Sequence, residues 1–270
     1  MFHCIINGCF LHTQIFQTVC RVYSVIVAIA MEAEAKPFID HLGLTQDDTF
    51  FPDHTPFVAY TGMHNQCKVT VIFNGKDTVY GTGVDNVGTV PASIATFLAL
   101  HKMTSEAPDK EHVLINAGTC GGFKRKGAEI GDVFLTTAVT NHDRRIPIPP
   151  FVPFGIGKLE TINATHLADQ FNYKTGICTT GNSLDKTDKD DEIMLANDAS
   201  VKDMEAAAIA WSCALHKVPF LGVKVVTDIV DGGVPTQDEF LENLHAASKS
   251  LQAALPQVLD YVCGKSHSEL

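Results

Sequence analysis

The chain has 270 residues, enough for one α/β domain or two smaller ones. Its 45% hydrophobic and 19% charged content fits a well-cored globular protein and excludes a disordered one. A formal net charge of −11 argues against nucleic acid and anionic membrane as partners, although a local basic pocket is compatible with it. The eight cysteines are scattered without a C-x-x-C pair, which suits a reducing, cytoplasmic setting and carries no zinc or redox signature. The twelve histidines form no H-E-x-x-H or H-x-H cluster, so no metal site and no other cofactor is expected.

Residues 1–23 are moderately apolar but interrupted by His, Asn, Gln and Thr. They lack the basic start and clean apolar centre of a signal peptide, and the roughly twenty uninterrupted apolar residues of a spanning helix. They read as a loosely packed extension ahead of a domain covering residues 24–270. Residues 24–30 (SVIVAIA) are a short β-branched apolar run and so a buried strand. Good helix formers follow at residues 31–36, with Pro37 expected in the first turn. Glu32 and Glu34 are two apart, so at most one faces the space above the strand. The alternative is two helix-N-terminal acids in water.

Residues 57–61 and 67–73 read as strands, the second alternating and therefore expected to be half exposed. Residues 74–91 are glycine-rich, yet neither a P-loop nor a dinucleotide fingerprint fits them. They read as a loop that approaches a ligand or a partner subunit closely. An apolar helix is expected over 92–100 and a buried strand over 111–117. That strand runs into Gly118-Thr119-Cys120-Gly121-Gly122, whose amides and hydroxyl would cradle an anion or a ribose. A strand over 132–138 precedes residues 141–157, rich in proline and aromatics, which read as a lid or wall over apolar substrate. Arg144 and Arg145 within it suit either a phosphate or a surface or subunit contact.

A helix over 164–171, a strand over 174–180 and a short helix over 189–197 come next. A helix is then expected from Asp203-Met204-Glu205 to His216, with Ala206, Ile209, Ala210, Cys213 and Ala214 on one apolar face. Residues 220–226 are a strand buried on both faces that stops at Thr227-Asp228. Ligands of open parallel sheets sit beyond the carboxyl ends of strands. Glu205 and Asp228 therefore either share a pocket, or are a first-turn acid and a solvated loop residue. A Thr-x-x-Glu start at Thr236 and Glu239 opens a long closing helix over 236–262, with Phe240, Leu244, Ala247, Leu251 and Leu255 on its apolar stripe. The alternation of strands and helices gives one α/β domain with a mostly buried, mixed sheet.

Five pieces then stand in one order: Ala30-Met31-Glu32-Ala33-Glu34, residues 116–122 (NAGTCGG), residues 142–147 (HDRRIP), Lys202-Asp203-Met204-Glu205-Ala206 and Thr227-Asp228. With them the chain resembles the nucleoside phosphorylase/nucleosidase superfamily, most closely the plant-type 5′-methylthioadenosine (and S-adenosylhomocysteine) nucleosidases. The resemblance runs from residue 24 to the C-terminus. It implies three layers, α/β/α, around a central mixed β-sheet, a nucleoside as small-molecule substrate, a homodimer and no cofactor. It also implies hydrolysis of methylthioadenosine to adenine and 5-methylthioribose in methionine salvage.

Breaking an N-glycosidic bond passes through an oxocarbenium-like sugar, so the site needs an activated water, a protonated leaving group and a hold on the ribose. The resemblance assigns the water to Glu34 and leaves Glu32 outside the pocket. It assigns proton donation toward adenine N7 to Asp228. A carboxyl near its reference pKa of about 3.9 is ionised at neutral pH, so Asp228 needs burial or a nearby acid to hold a proton. Met204 is placed against the sugar, Glu205 on the ribose hydroxyls, and Thr119 beside the water or ribose. Gly121, Leu184, Asp185 and Thr227 complete the implied substrate contacts, and Asp203 takes a supporting position.

Three positions vary within the pattern. Leu184 stands where bacterial relatives carry an aromatic residue, and Lys224 where they carry an arginine. Plant-type members resemble this chain at both. Asn182 stands where the pattern has an acid, and a lower rate or affinity follows if that acid holds the loop over adenine. A purine nucleoside phosphorylase is the nearest rival reading, but it should show arginines around a phosphate cradle. Here the early glycine-rich loop offers only Lys76, and Glu34 would repel a phosphate dianion. A non-catalytic storage protein of the same fold is the other rival, and it would need none of the three acids.

Overall fold

The run VYSVIVAI forms strand β1 (Val22–Ile29), seven of whose eight residues are buried. Its side chains alternate between two cores. Val25, Val27 and Ile29 pack with Phe38, Leu251 and Leu255 on one face, while Ile26 and Ala28 pack with Ala92, Ala99 and Ala210 on the other. The computed structural model describes residues 21–270, and residues 1–20 of the expected extension lie outside the described residues. β1 starts two residues earlier than expected because the Val22 amide donates to Lys265 O at 2.7 Å.

Next come α1 (Glu32–Leu42), β2 (Thr45–Gln46), β3 (Val58–His64), β4 (Cys67–Phe73) and α2 (Thr89–Glu106). After them run β5 (Glu111–Gly122), β6 (Val133–Asn141), α3 (Val152–Ile156), β7 (Leu159–Glu160), α4 (Thr165–Phe171) and β8 (Lys174–Thr180). The chain closes with α5 (Asp188–Ala196), β9 (Ala199–Asp203), α6 (Ala206–His216), β10 (Phe220–Ile229) and α7 (Thr236–Val262). The expected single α/β domain with a mixed sheet is present. α1 and α7 cover one face of the sheet, and α2 and α6 cover the other.

The structure adds a closure to this layered arrangement. Strands β2, β3, β4 and β1 lead as an open arm to β5. From there β5 pairs with both β10 and β9, and β10, β6, β8 and β9 complete a ring back to it. A closed ring has no free edge to protect, and its mouth becomes a natural place for a cavity.

Several expectations change. β4 is buried at six of its seven positions rather than half exposed. It lies inside the sheet between β1 and β3, so helices cover both faces. β5 does not end at Ala117 but continues through all three glycines, and β10 likewise runs on through Thr227 and Asp228 to Ile229. β9 is a strand where a helix start was expected, and α6 begins at Ala206. On α6 the buried face holds Ala206, Ile209, Ala210 and Cys213 as expected, but Ala214 is exposed and Ser212 takes its place inside. Pro37 lies inside α1 rather than in its first turn. α7 has its expected bounds without the capping box. Pro235 occupies the N-cap, and Glu239 accepts from the Ile229 amide at 2.8 Å. No helix among the described residues is long and apolar enough to cross a membrane.

Candidate active site

The turn from β1 into α1 delivers Glu34 to the carboxyl end of the sheet, where it is 2% exposed. Its Oε1 accepts from both the Thr119 amide at 2.7 Å and the Thr119 hydroxyl at 2.6 Å. Its Oε2 accepts from the Met31 amide at 3.3 Å. Burial raises the Glu34 pKa above the usual carboxylate range, against the lowering pull of the Thr119 bonds and of Lys224. Glu32, two residues away, points outward and pairs with Lys76 at 3.4 Å. The glycine segment is therefore not a free cradle: the Thr119 amide and hydroxyl are committed to Glu34.

Asp228 is 3% exposed and follows a register shift between β10 and β5. The shift turns its carboxylate over Gly121. A Cβ on Gly121 would come within 2.7 Å of Asp228 Oδ2 and 2.5 Å of Val230 Cγ2, so only glycine fits there. Burial raises the Asp228 pKa and Glu239 adds to the rise, while the Thr227 hydroxyl at 2.9 Å and Lys202 pull it down. The shortage of solvation that Asp228 needs to hold a proton is thus present.

Glu205 occupies the N-cap of α6 and accepts from the Gly88 amide at 2.7 Å, at the N-terminus of α2. Burial first and the neighbouring Asp203 second push its pKa up to about 7, with Lys224 acting against them. Behind it, Lys224 Nζ and Asp203 Oδ2 form a fully buried ion pair at 2.8 Å. Asp203 also accepts from the Thr180 hydroxyl at 2.6 Å and the Ala206 amide at 2.8 Å. Although burial opposes it, these partners hold the Asp203 carboxyl below its ordinary value. The pair therefore leaves neither buried charge without a partner.

One cavity of about 240 Å³ gathers Glu34, Thr119, Gly121 and Asp228. Met204, Glu205, Thr227 and Leu184 line the same cavity. Asp185 does not: it is exposed and lies in an adjoining groove with Pro235 and Gln237. Asn182 is also outside. Its Oδ1 caps α2 by accepting from the Thr89 amide and hydroxyl, each at 2.9 Å, and its own amide donates to Asp143 at 2.7 Å. Residues 141–157 form no wall of this cavity. Arg144 binds the Phe154 carbonyl at 2.8 Å and Arg145 pairs with Asp190, so both are engaged with protein groups and neither lines the cavity.

Sequence reasoning missed Lys202, Val87 and Phe240 as cavity residues. The signal for Lys202 lay in its place within a segment already singled out, two residues before Met204. Val87 and Phe240 carry no local signal. A loop and the first turns of α7 bring them in from far along the chain. Among the described residues no group of His, Cys, Asp and Glu is arranged to hold a metal. Four carboxylates and two ammonium groups line the cavity, and no arginine does.

Three buried acids with raised pKa values, gathered in one cavity, are an arrangement capable of acid–base work on a small polar substrate. Residues 24–260 match the phosphorylase superfamily. A 5′-methylthioadenosine nucleosidase of Arabidopsis thaliana is 43% identical over 92% of this chain and 90% of its own length. A 5′-methylthioadenosine/S-adenosylhomocysteine nucleosidase of the same plant is 42% identical over 92% of this chain and 94% of its own. The solved apo structure of the Arabidopsis 5′-methylthioadenosine nucleosidase superposes with a TM-score of 0.86, covering 93% of this chain and all of that one. The chain belongs to the phosphorylase superfamily and, within it, to the methylthioadenosine nucleosidases.

Proposed function

We propose that the protein hydrolyses the N-glycosidic bond of 5′-methylthioadenosine, releasing adenine and 5-methylthioribose, as a step of methionine salvage. The observation that carries this reading is the meeting of Glu34, Glu205 and Asp228, each buried and each with a raised pKa, in one cavity. Glu34 in its ionised form takes a proton from the attacking water, with its carboxylate held by Thr119 and Met31. Asp228 in its neutral form gives a proton toward adenine N7, so that the base leaves uncharged. Glu205 accepts from the ribose hydroxyls, and the Met204 side chain rests against the sugar. Leu184 and Thr227 border the base.

Water rather than phosphate is the nucleophile. A phosphate dianion beside Glu34 would meet like charge in a buried space, and Lys76 is already paired with Asp85 at 2.9 Å. The exposed apolar side chains Val90, Ile94 and Phe97 on α2, with Trp211 and Leu215 on α6, support a homodimer closed over that face. The free cysteines at positions 67, 120, 178, 213 and 263 suit a reducing, cytoplasmic setting. The test is to mix the protein separately with methylthioadenosine and S-adenosylhomocysteine in phosphate-free buffer and follow adenine. Release from methylthioadenosine is expected, and its absence would end this reading. The S-adenosylhomocysteine arm reports whether the cavity mouth admits the longer tail.

A further inference from the structure

Of the charged groups that line the cavity, the catalytic reading leaves Lys202 without a task. Lys202 on β9 is 6% exposed and lines the cavity. Its Nζ donates to the main-chain carbonyls of Ser183 at 2.7 Å and Leu184 at 2.8 Å. Those residues lie in the loop between β8 and α5. One end of the loop is tied by the Asn182 amide on Asp143, and the other by the Thr187 cap of α5. Among the described residues, no other side chain bonds to the Ser183–Leu184 main chain between these ties. An ammonium group carries a large desolvation cost when buried, and carbonyls alone do not cancel its charge. Burial lowers the Lys202 pKa below the usual ammonium range, while the acids around it, Asp228 first and then Asp203, Asp185 and Asp190, pull the other way.

Resting on the nucleosidase reading above, we propose that Lys202 is a positioning residue for the leaving base. Its ammonium group latches the Ser183–Leu184 main chain beside Asp228 and so fixes the wall against which the purine is held when it is protonated. The latch joins two features that the reaction needs together. Leu184 can pack on the base only if its backbone is fixed, and Asp228 can protonate the base only if the base is held at one depth. Three groups set the charge environment of Asp228: Lys202 from β9, Glu239 from α7, and the Thr227 hydroxyl beside it. Lys202 is the cation among them. Its removal therefore lets the Asp228 acid keep its proton to higher pH while loosening the wall.

The experiment compares two substrates in the wild type, Lys202→Met and Lys202→Gln. The first is methylthioadenosine. The second is the p-nitrophenyl glycoside of 5-methylthioribose, whose leaving group needs neither protonation nor a purine wall. Loss of the charge-assisted bonds in Lys202→Met should raise KM for methylthioadenosine about tenfold or more. The falling limb of the pH profile should move to higher pH, and turnover of the glycoside should stay within about twofold of the wild type. Lys202→Gln, which keeps N–H donors without the charge, should recover part of the KM while still moving the limb. It also carries the pH readout should the methionine variant not fold. Equal slowing of both substrates would make Lys202 a structural lysine only and overturn the proposal. So would an unmoved KM and limb. A wild type that releases no adenine would instead overturn the nucleosidase reading.

Discussion

Glu34, Glu205 and Asp228 sit in one cavity, yet their neighbours differ. Glu34 receives three hydrogen bonds from Thr119 and Met31, all of which favour its ionised form. Asp228 receives one, from Thr227, and faces Glu239. That contrast supports the proposed base role of Glu34 and acid role of Asp228. The signs for activity follow directly. In the proposed mechanism Glu34 and Glu205 act in their ionised forms, so kcat/KM is expected to fall as pH drops through their raised values, near pH 7 for Glu205. In the same mechanism Asp228 acts protonated, so kcat/KM is expected to fall also as pH rises through its own raised value. A bell-shaped profile of adenine release is expected, and Asp228→Asn should lose the falling limb together with about a hundredfold or more of the rate. Full activity in that variant would remove Asp228 from its role.

At the scale of elements, the site depends on the close approach of Gly121 to the Asp228 and Val230 side chains at the register shift between β5 and β10. Gly121→Ala would drive a methyl group into Val230 and the Asp228 carboxylate. A loss of about 1–3 kcal/mol of stability is expected from such overpacking, read by urea denaturation, together with a drop in kcat. An alanine variant as stable and as active as the wild type would show that the close approach is not needed. This closeness was not legible from residues 118–122, because a glycine turn and a glycine-rich strand share the same composition. β9 was hidden for a related reason. Its last residue, Asp203, reads with Met204 and Glu205 as a helix start, and only the Lys202 and Asp203 partners explain how a strand buries two adjacent charges. By contrast, the β-branched run of β1 and the long apolar stripe of α7 were legible, since their periods survive any tertiary context.

Across the whole molecule, the segments that carry chemistry are far apart in the chain and meet only through the ring of strands. Glu34 arrives from the open arm, Thr119 and Gly121 from the shared strand β5, Asp228 from β10, and Met204 and Glu205 from the turn after β9. Local reading of the residues left Glu205 and Asp228 as either pocket or surface groups, and their meeting with Glu34 was legible only through the family resemblance. The apolar face of α2 and α6 belongs to this scale too. Sedimentation equilibrium should give twice the 29.3 kDa mass of one chain, and Phe97→Asp should shift the protein toward monomer. A monomeric wild type would contradict the dimer.

The account rests on water being the nucleophile at a site built around Glu34. The direct measurement is the rate of adenine release from methylthioadenosine with and without saturating inorganic phosphate, with the sugar product followed by proton NMR of its anomeric signal. The account predicts an unchanged rate and free 5-methylthioribose in both buffers, with the rate lost in Glu34→Gln. A rate that requires phosphate, with a sugar 1-phosphate as product, would contradict it.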